Sequence, residues 1–170
     1  MIPTAVVLLL LGGLFSLWWW ADHQNGVRWA QKVVRDRFPD VPSITPADLV
    51  SWLADPTRPP PCLLDARTAE EQSVSTLPRA LSVDPEAEAS ALLHQLPANQ
   101  PLVVYCAAGY RGARLARRLI ADGHPDVRNL DGGIFAWANA GHPLEKDGHP
   151  CLKVHSYHRL FSRLLKNPNP

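Results

Sequence analysis

Residues 1–21 carry no charged side chain, and residues 2–21 form an apolar run closed by Trp18, Trp19 and Trp20. As a helix this run is about 30 Å long, which matches the hydrocarbon core of a bilayer. Pro3 near its start and Gly12-Gly13 within it are both compatible with a membrane helix. The run is expected to be a retained transmembrane anchor, with tryptophans at headgroup level. A cleaved signal peptide is the competing reading. It would need a basic start and small residues at a cleavage site, where this chain has three tryptophans. Arg28, Lys32, Arg35 and Arg37 follow the run and no basic side chain precedes it, so the carboxyl side is expected in the cytoplasm.

Beyond the run, the pattern changes to short periodic segments. In residues 27–38, Trp29, Ala30, Val33, Val34 and Phe38 recur at helical spacing, which predicts an amphipathic helix near the membrane or on the domain. Thr45 and Pro46 read as cap and first residue of a helix that turns Leu49, Val50 and Leu53 to one face. Residues 57–61 (TRPPP) are a stiff loop. Residues 62–66 and 79–83 are short strands, and 87–96 is helical. Residues 101–106 (PLVVYC) are apolar on both faces, the pattern of a central strand in a parallel sheet. A helix over 113–121, a strand over 127–130 and a helix over 134–140 complete the alternation. Strands alternating with helices imply an α/β domain with a parallel sheet flanked by helices. The expected organisation is an anchor over 1–21, a linker over 22–42, the domain over 43–145 and a basic tail over 146–170.

Charge narrows the function. The chain has 170 residues, 17 Lys plus Arg against 16 Asp plus Glu, and a net charge of +1, which argues against a nucleic-acid binder. Residues 45–145 hold eight basic and twelve acidic residues, whereas 146–170 hold five basic residues and only Asp147. The tail segment 157–166 gathers Leu160, Phe161, Leu164 and Leu165 beside Arg159, Arg163 and Lys166. Packing on the domain and lying on anionic lipid are both open for it. Three widely spaced cysteines, Cys62, Cys106 and Cys151, exclude a disulfide scaffold and leave room for a reactive thiol.

The chemistry concentrates where the strand 101–106 ends. In parallel α/β sheets ligands bind beyond the carboxyl ends of the strands. There the chain reads Cys106, Ala107, Ala108, Gly109, Tyr110, Arg111, Gly112. Small residues let a tight loop turn successive N–H groups inward beside a helix start, a nest for an anion. A thiol at its centre ionises more easily, and the thiolate is the nucleophile. Arg111 adds a fixed positive charge.

This loop resembles that of the rhodanese family of sulfurtransferases, C-x-x-G-x-R often followed by Ser or Thr. Cys106, Gly109 and Arg111 fit, and Gly112 stands in place of the hydroxyl residue. Residues 65–81 resemble the family's D-V-R-x-x-x-E-x-x-x-G-H-I-P-G-A. Asp65, Arg67, Glu71, Pro78 and Ala80 fit, while Ser75, Thr76 and Arg79 depart from Gly, His and Gly. Residues 129–144 resemble its L-x-G-G-x-x-x-W-x-x-x-G-x-P, with Gly132, Gly133, Trp137, Gly141 and Pro143 in place. The resemblance implies a rhodanese-like fold and a Cys106 persulfide. Sulfur would pass from a donor such as thiosulfate, or a protein persulfide, to a thiol acceptor, with no metal or organic cofactor. Residues 106–112 would form the active loop, with Asp65 and Arg67 supporting it. A tethered binding module without turnover is the alternative, and the four departures leave room for it. A cysteine phosphatase or arsenate reductase is disfavoured, because C-x5-R loops are one residue wider than Cys106 to Arg111.

Other candidates have plainer readings. Cys62 and Trp137 are expected in the core. Cys151 is expected outside the domain, as a bystander or a resolving thiol. Tyr110 either shapes donor access or is simply exposed. His142, His149, His155 and His158 lack the fixed-spacing partners of a metal site.

Overall fold

A computed structural model describes residues 23–86, 88–94, 96, 100–156 and 161–165. The expected anchor over 1–21, His158 and the last five residues lie outside the described residues. Among the described residues no helix is long and apolar enough to cross a membrane.

In chain order the elements are α1 (His23–Arg37), β1 (Ser43–Ile44), α2 (Pro46–Ala54), β2 (Cys62–Asp65), α3 (Ala69–Gln72) and β3 (Leu81–Ser82). Then come α4 (Ala89–Leu93), β4 (Leu102–Tyr105), α5 (Tyr110–Ala121), β5 (Val127–Leu130) and α6 (Gly133–Asn139). A hairpin of β6 (Leu144–Lys146) and β7 (His149–Cys151) and a 3-10 turn (Phe161–Leu164) follow. The first five strands form one parallel sheet in the order β1-β5-β4-β2-β3. This is the α/β sheet flanked by helices that the alternation implied. Every residue of β4 is fully buried, as its two apolar faces require of a central strand.

The pleat divides the core. Val103 and Tyr105 face one side, packing with Leu49 and Trp52 of α2 and Ile134, Phe135 and Trp137 of α6. Leu102 and Val104 face the other, with Leu115 and Leu119 of α5 and Leu92 of α4. Helix α1 gives Val27 to the first layer and Val34 to the second, and Phe38, the residue after it, joins the second.

Local chemistry explains the ends. Thr45 Oγ1 accepts from the Asp48 N–H at 3.1 Å and Pro46 opens α2, as the sequence implies. Its buried stripe, however, is Leu49 and Trp52, and Leu53 is exposed. The large indole buries more area, donates to Pro59 O at 3.0 Å and lies under the Arg58 and Arg128 guanidinium groups. Helix α5 starts at Tyr110, three residues earlier than its apolar pattern, because Gly109 at φ 103 caps it. Strand β3 shrinks to two residues, since Arg79 at φ 59 breaks the extended chain.

Packing runs past both expected domain boundaries. The helix over 27–38 begins at His23 and buries Val27, Val34 and Phe38. Trp29 remains 66% exposed and Val33 38%. The tail is also structured. Ser75 Oγ donates to Lys153 O at 2.5 Å, Thr76 pairs with Glu145, and Val154 and Leu165 are core residues. Cys151, expected outside the domain, sits in β7 with its thiol 3.7 Å from Val74 O. The described part of the tail packs on the domain, with Asn139 Nδ2 donating to Leu164 O at 2.6 Å.

If the segment 23–38 is part of the core, Phe38→Ala lowers stability by about 3 kcal/mol, and Trp29→Ala changes it by roughly 0.5 kcal/mol or less. Denaturant midpoints of the two variants check this, and equal small shifts would return α1 to a loose linker.

Candidate active site

Cys106 follows the last residue of β4 and is 2% exposed. Its backbone is pinned from behind. The Ile134 N–H donates to Cys106 O at 2.9 Å and the Phe135 N–H to Ala107 O at 3.1 Å, so the first turn of α6 spends its free donors on this loop. Only glycine fits at the contact: Gly133 has φ 58, and a Cβ there would lie 2.6 Å from Ala107 O. From the front, the Gly109 N–H donates to Cys106 Sγ at 3.2 Å. Sulfur therefore sits at the amino end of α5, where backbone N–H groups and the helix dipole favour negative charge.

Arg111 lies in the first turn of α5. It grips Glu71 with both arms, Nη1 to Oε2 at 2.7 Å and Nη2 to Oε1 at 2.8 Å. Burial pushes the guanidinium's pKa down, but the Glu71 carboxylate and the Cys106 sulfur outweigh it and hold Arg111 charged. Glu71 is 1% exposed and belongs to a capping box with Thr68, whose N–H donates to Oε2 at 3.1 Å. Burial raises its pKa, yet Arg111, the Thr68 N–H and Arg67 together hold the carboxyl below the usual carboxylate range.

Asp65 and Arg67 stand one layer further back. Both are fully buried, with Arg67 Nε on Asp65 Oδ1 at 2.9 Å and Nη2 on Oδ2 at 2.6 Å. Arg67 also donates to Ser75 O at 2.5 Å and Glu71 O at 3.3 Å. The Tyr105 hydroxyl donates to Asp65 Oδ2 at 2.7 Å and accepts from the Leu77 N–H at 3.1 Å. Burial and the Asp65 charge push the Tyr105 phenol well up, so it stays protonated. Burial opposes the charge on Arg67, and the Asp65 carboxylate overcomes it. These groups fix the segment 65–77, and through Glu71 they fix Arg111.

The other loop residues are close by. Ala107 is buried and Ala108 half-buried. Tyr110 is 46% exposed and meets Phe38 edge to face at 5.1 Å. Gly112 lies against β4 and β5: a Cβ there would come 2.6 Å from Asn129 Oδ1 and 3.2 Å from Tyr105 Cα. Asn129 itself is 1% exposed, and neither end of its amide has a protein partner among the described residues.

Glu71, Gly133 and Asn129 are site residues to which the sequence reading assigned no role. Glu71 was legible in principle, since Thr68-x-x-Glu71 is a capping-box pattern. Nothing local marks Asn129. Cys62 lies at the opposite end of the sheet from Cys106, half-buried, and burial raises its thiol pKa. The histidines have separate neighbours: His142 packs on Trp137 at 4.7 Å, His155 lies 4.0 Å from Glu70, and His149 is exposed.

The Glu71–Arg111 pair sets an acid limit. With its pKa depressed by folding, Glu71 contributes stability above the ordinary carboxylate pKa of about 4.3, lost as pH falls through the folded value. Glu71→Gln is expected to be less stable at neutral pH and to lose less on acidification, read from urea midpoints across the acid range. Parallel curves for the two proteins would exclude the pair as a contributor.

The model of the family described as "Rhodanese-like domain" matches residues 45–140. A sulfurtransferase of Allochromatium vinosum is 34% identical over 82 residues, 48% of this chain and 76% of that protein. The thiosulfate sulfurtransferase YnjE of Escherichia coli is 33% identical over 71 residues, 42% of this chain and 16% of that one. The chain spans about two fifths of the length of five further curated relatives it matches. The crystal structure of a rhodanese-like domain protein from Staphylococcus aureus superposes with a TM-score of 0.54 at 30% identity, covering 63% of this chain and 99% of that one. Motifs, sheet order and family match agree: the chain belongs to the rhodanese-like domain family.

Proposed function

We propose that this protein is a membrane-anchored sulfurtransferase that moves sulfane sulfur through a persulfide on Cys106. The single observation that carries the chemistry is the Cys106 sulfur under the Gly109 N–H, at the amino end of α5 and beside Arg111. Relatives named as sulfurtransferases support the same activity.

With thiosulfate as donor, the Cys106 thiolate attacks the outer sulfur. A Cys106–sulfur bond forms, the sulfur–sulfur bond of thiosulfate breaks, and sulfite leaves with the electron pair. The terminal sulfur of the persulfide carries the negative charge, and the loop N–H groups and α5 stabilise it. An acceptor thiolate then attacks that terminal sulfur, takes it as its own persulfide, and releases the Cys106 thiolate. Two half-reactions on one nucleophile give ping-pong kinetics. Arg111 holds positive charge beside the sulfur, and Glu71 fixes where that charge sits. Asp65 and Arg67 act behind them as supports. No step uses a metal or an organic cofactor.

The anchor is the charge-free run over 2–21, with the domain in the cytoplasm, where a reducing medium keeps Cys106 free. Membrane attachment then limits the protein to donors and acceptors that reach the bilayer surface.

Intact-mass measurement of the reduced protein after mixing with thiosulfate is expected to show one added sulfur atom. The gain is absent in Cys106→Ser and reversed by cyanide. No gain on a folded protein with a free thiol would turn the reading to another donor or to a binding module. Attachment has a separate check. Full-length protein should stay with membranes through alkaline carbonate, and its carboxyl end should resist external protease in spheroplasts. Release by carbonate would remove the anchor, and cleavage of that end would reverse the orientation.

A further inference from the structure

A second site lies at the far end of the sheet from Cys106. A cavity of about 590 Å³ opens beside Cys62 at the start of β2 and Gln100 just before β4, whereas Cys106 follows the end of β4. Leu53, Leu63, Leu81 and Trp137 are in its lining, and among the described residues no acidic residue lines it. Leu53 is 41% exposed and Leu81 49%, so this apolar surface is unfilled by the fold. The Cys62 thiol in its wall is kept neutral by burial.

One charged side chain stands in this lining. Arg79 is exposed and sits at φ 59, a left-handed conformation that L residues rarely adopt. Its N–H donates to Glu145 Oε1 at 2.9 Å, which helps hold the turn. The sequence motif it resembles has glycine here, the residue that would take this conformation without strain. An arginine at this strained position puts a long cationic side chain where the groove opens. Among the described residues no ion pair engages that guanidinium.

We propose that this groove binds a small amphiphilic carboxylate, its hydrocarbon or aryl body against Leu53 and Leu81 and its carboxylate on Arg79. Apolar walls with a few placed polar groups are the ordinary make-up of a small-molecule site, and the volume is in the usual range. Among the described residues the lining holds Arg79 and His142 and no acid, and Glu145 reaches Arg79 at its backbone N–H, so the basic groups of the lining select the sign of the ligand. The site is separate from the sulfur-transfer reading and does not depend on it.

Cys62 lines the groove and reports on it directly. Full-length protein in nanodiscs of zwitterionic lipid is treated with iodoacetamide, and alkylation of each cysteine is followed by peptide mass spectrometry. The probe is 4-phenylbutyrate, with 4-phenylbutylamine as the cationic counterpart and Cys151 as internal reference. 4-Phenylbutyrate should slow Cys62 alkylation saturably and leave Cys151 unchanged, and the amine should not protect. Arg79→Gln should raise the half-protecting concentration about fivefold. Arg79→Gly, relaxed at that φ, should fold at least as well and lose protection equally. Protection by acid and amine alike, protection unchanged in both variants, or no protection would each overturn the proposal.

Discussion

The ion pair between Arg111 and Glu71 joins two segments forty residues apart at the point where the thiol sits. Glu71 is almost wholly buried and Arg111 mostly so. Their attraction is therefore weakly screened, and breaking it from one side would leave a charge without a partner, a loss on the order of 3 kcal/mol. Each partner is itself built in. Glu71 is locked by the Thr68 capping box and backed by Arg67, which Asp65 and the Tyr105 hydroxyl hold in turn. Arg111 is set by the start of α5, which Gly109 fixes. The loop that carries Cys106 is thus a junction of rigid parts and not a free segment.

Helix α6 supplies the second constraint. Its first turn holds the Cys106 and Ala107 carbonyls from behind, while the Gly109 N–H meets the sulfur from the front. Later in the same helix, Trp137 donates to Pro143 O and lines the groove beside Arg79. One short helix therefore touches both the thiol loop and the apolar groove at opposite ends of the sheet.

Much of this was legible in the residues. The run 101–106 is apolar on both faces, as a central parallel strand requires, and β4 is that strand. Thr45-Pro46 marked a helix start, and three spaced motifs marked segments that the fold brings together around Cys106. What escaped had physical reasons. Helix α1 carries two apolar stripes, Trp29 with Val33 and Val27 with Val34 and Phe38, and periodicity does not say which one the domain covers. The β6–β7 hairpin is too short for alternation to register, and Val154 and Leu165 are isolated apolar residues whose burial depends on long-range contacts. The loop appeared longer than it is because Tyr110, Arg111 and Gly112 are helical without an apolar pattern of their own. Asn129 opens the segment 129–144 but precedes the first matched position of its motif, Leu130, and only the fold brings its amide against Gly112.

The most direct measurement is a crystal structure of the protein after exposure to thiosulfate. A sulfur atom bonded to Cys106 Sγ is predicted within hydrogen-bond reach of the loop N–H groups, with Arg111 still paired to Glu71. Density for the added sulfur on Cys62 or Cys151, or a Cys106 persulfide turned away from the loop N–H groups, would contradict it.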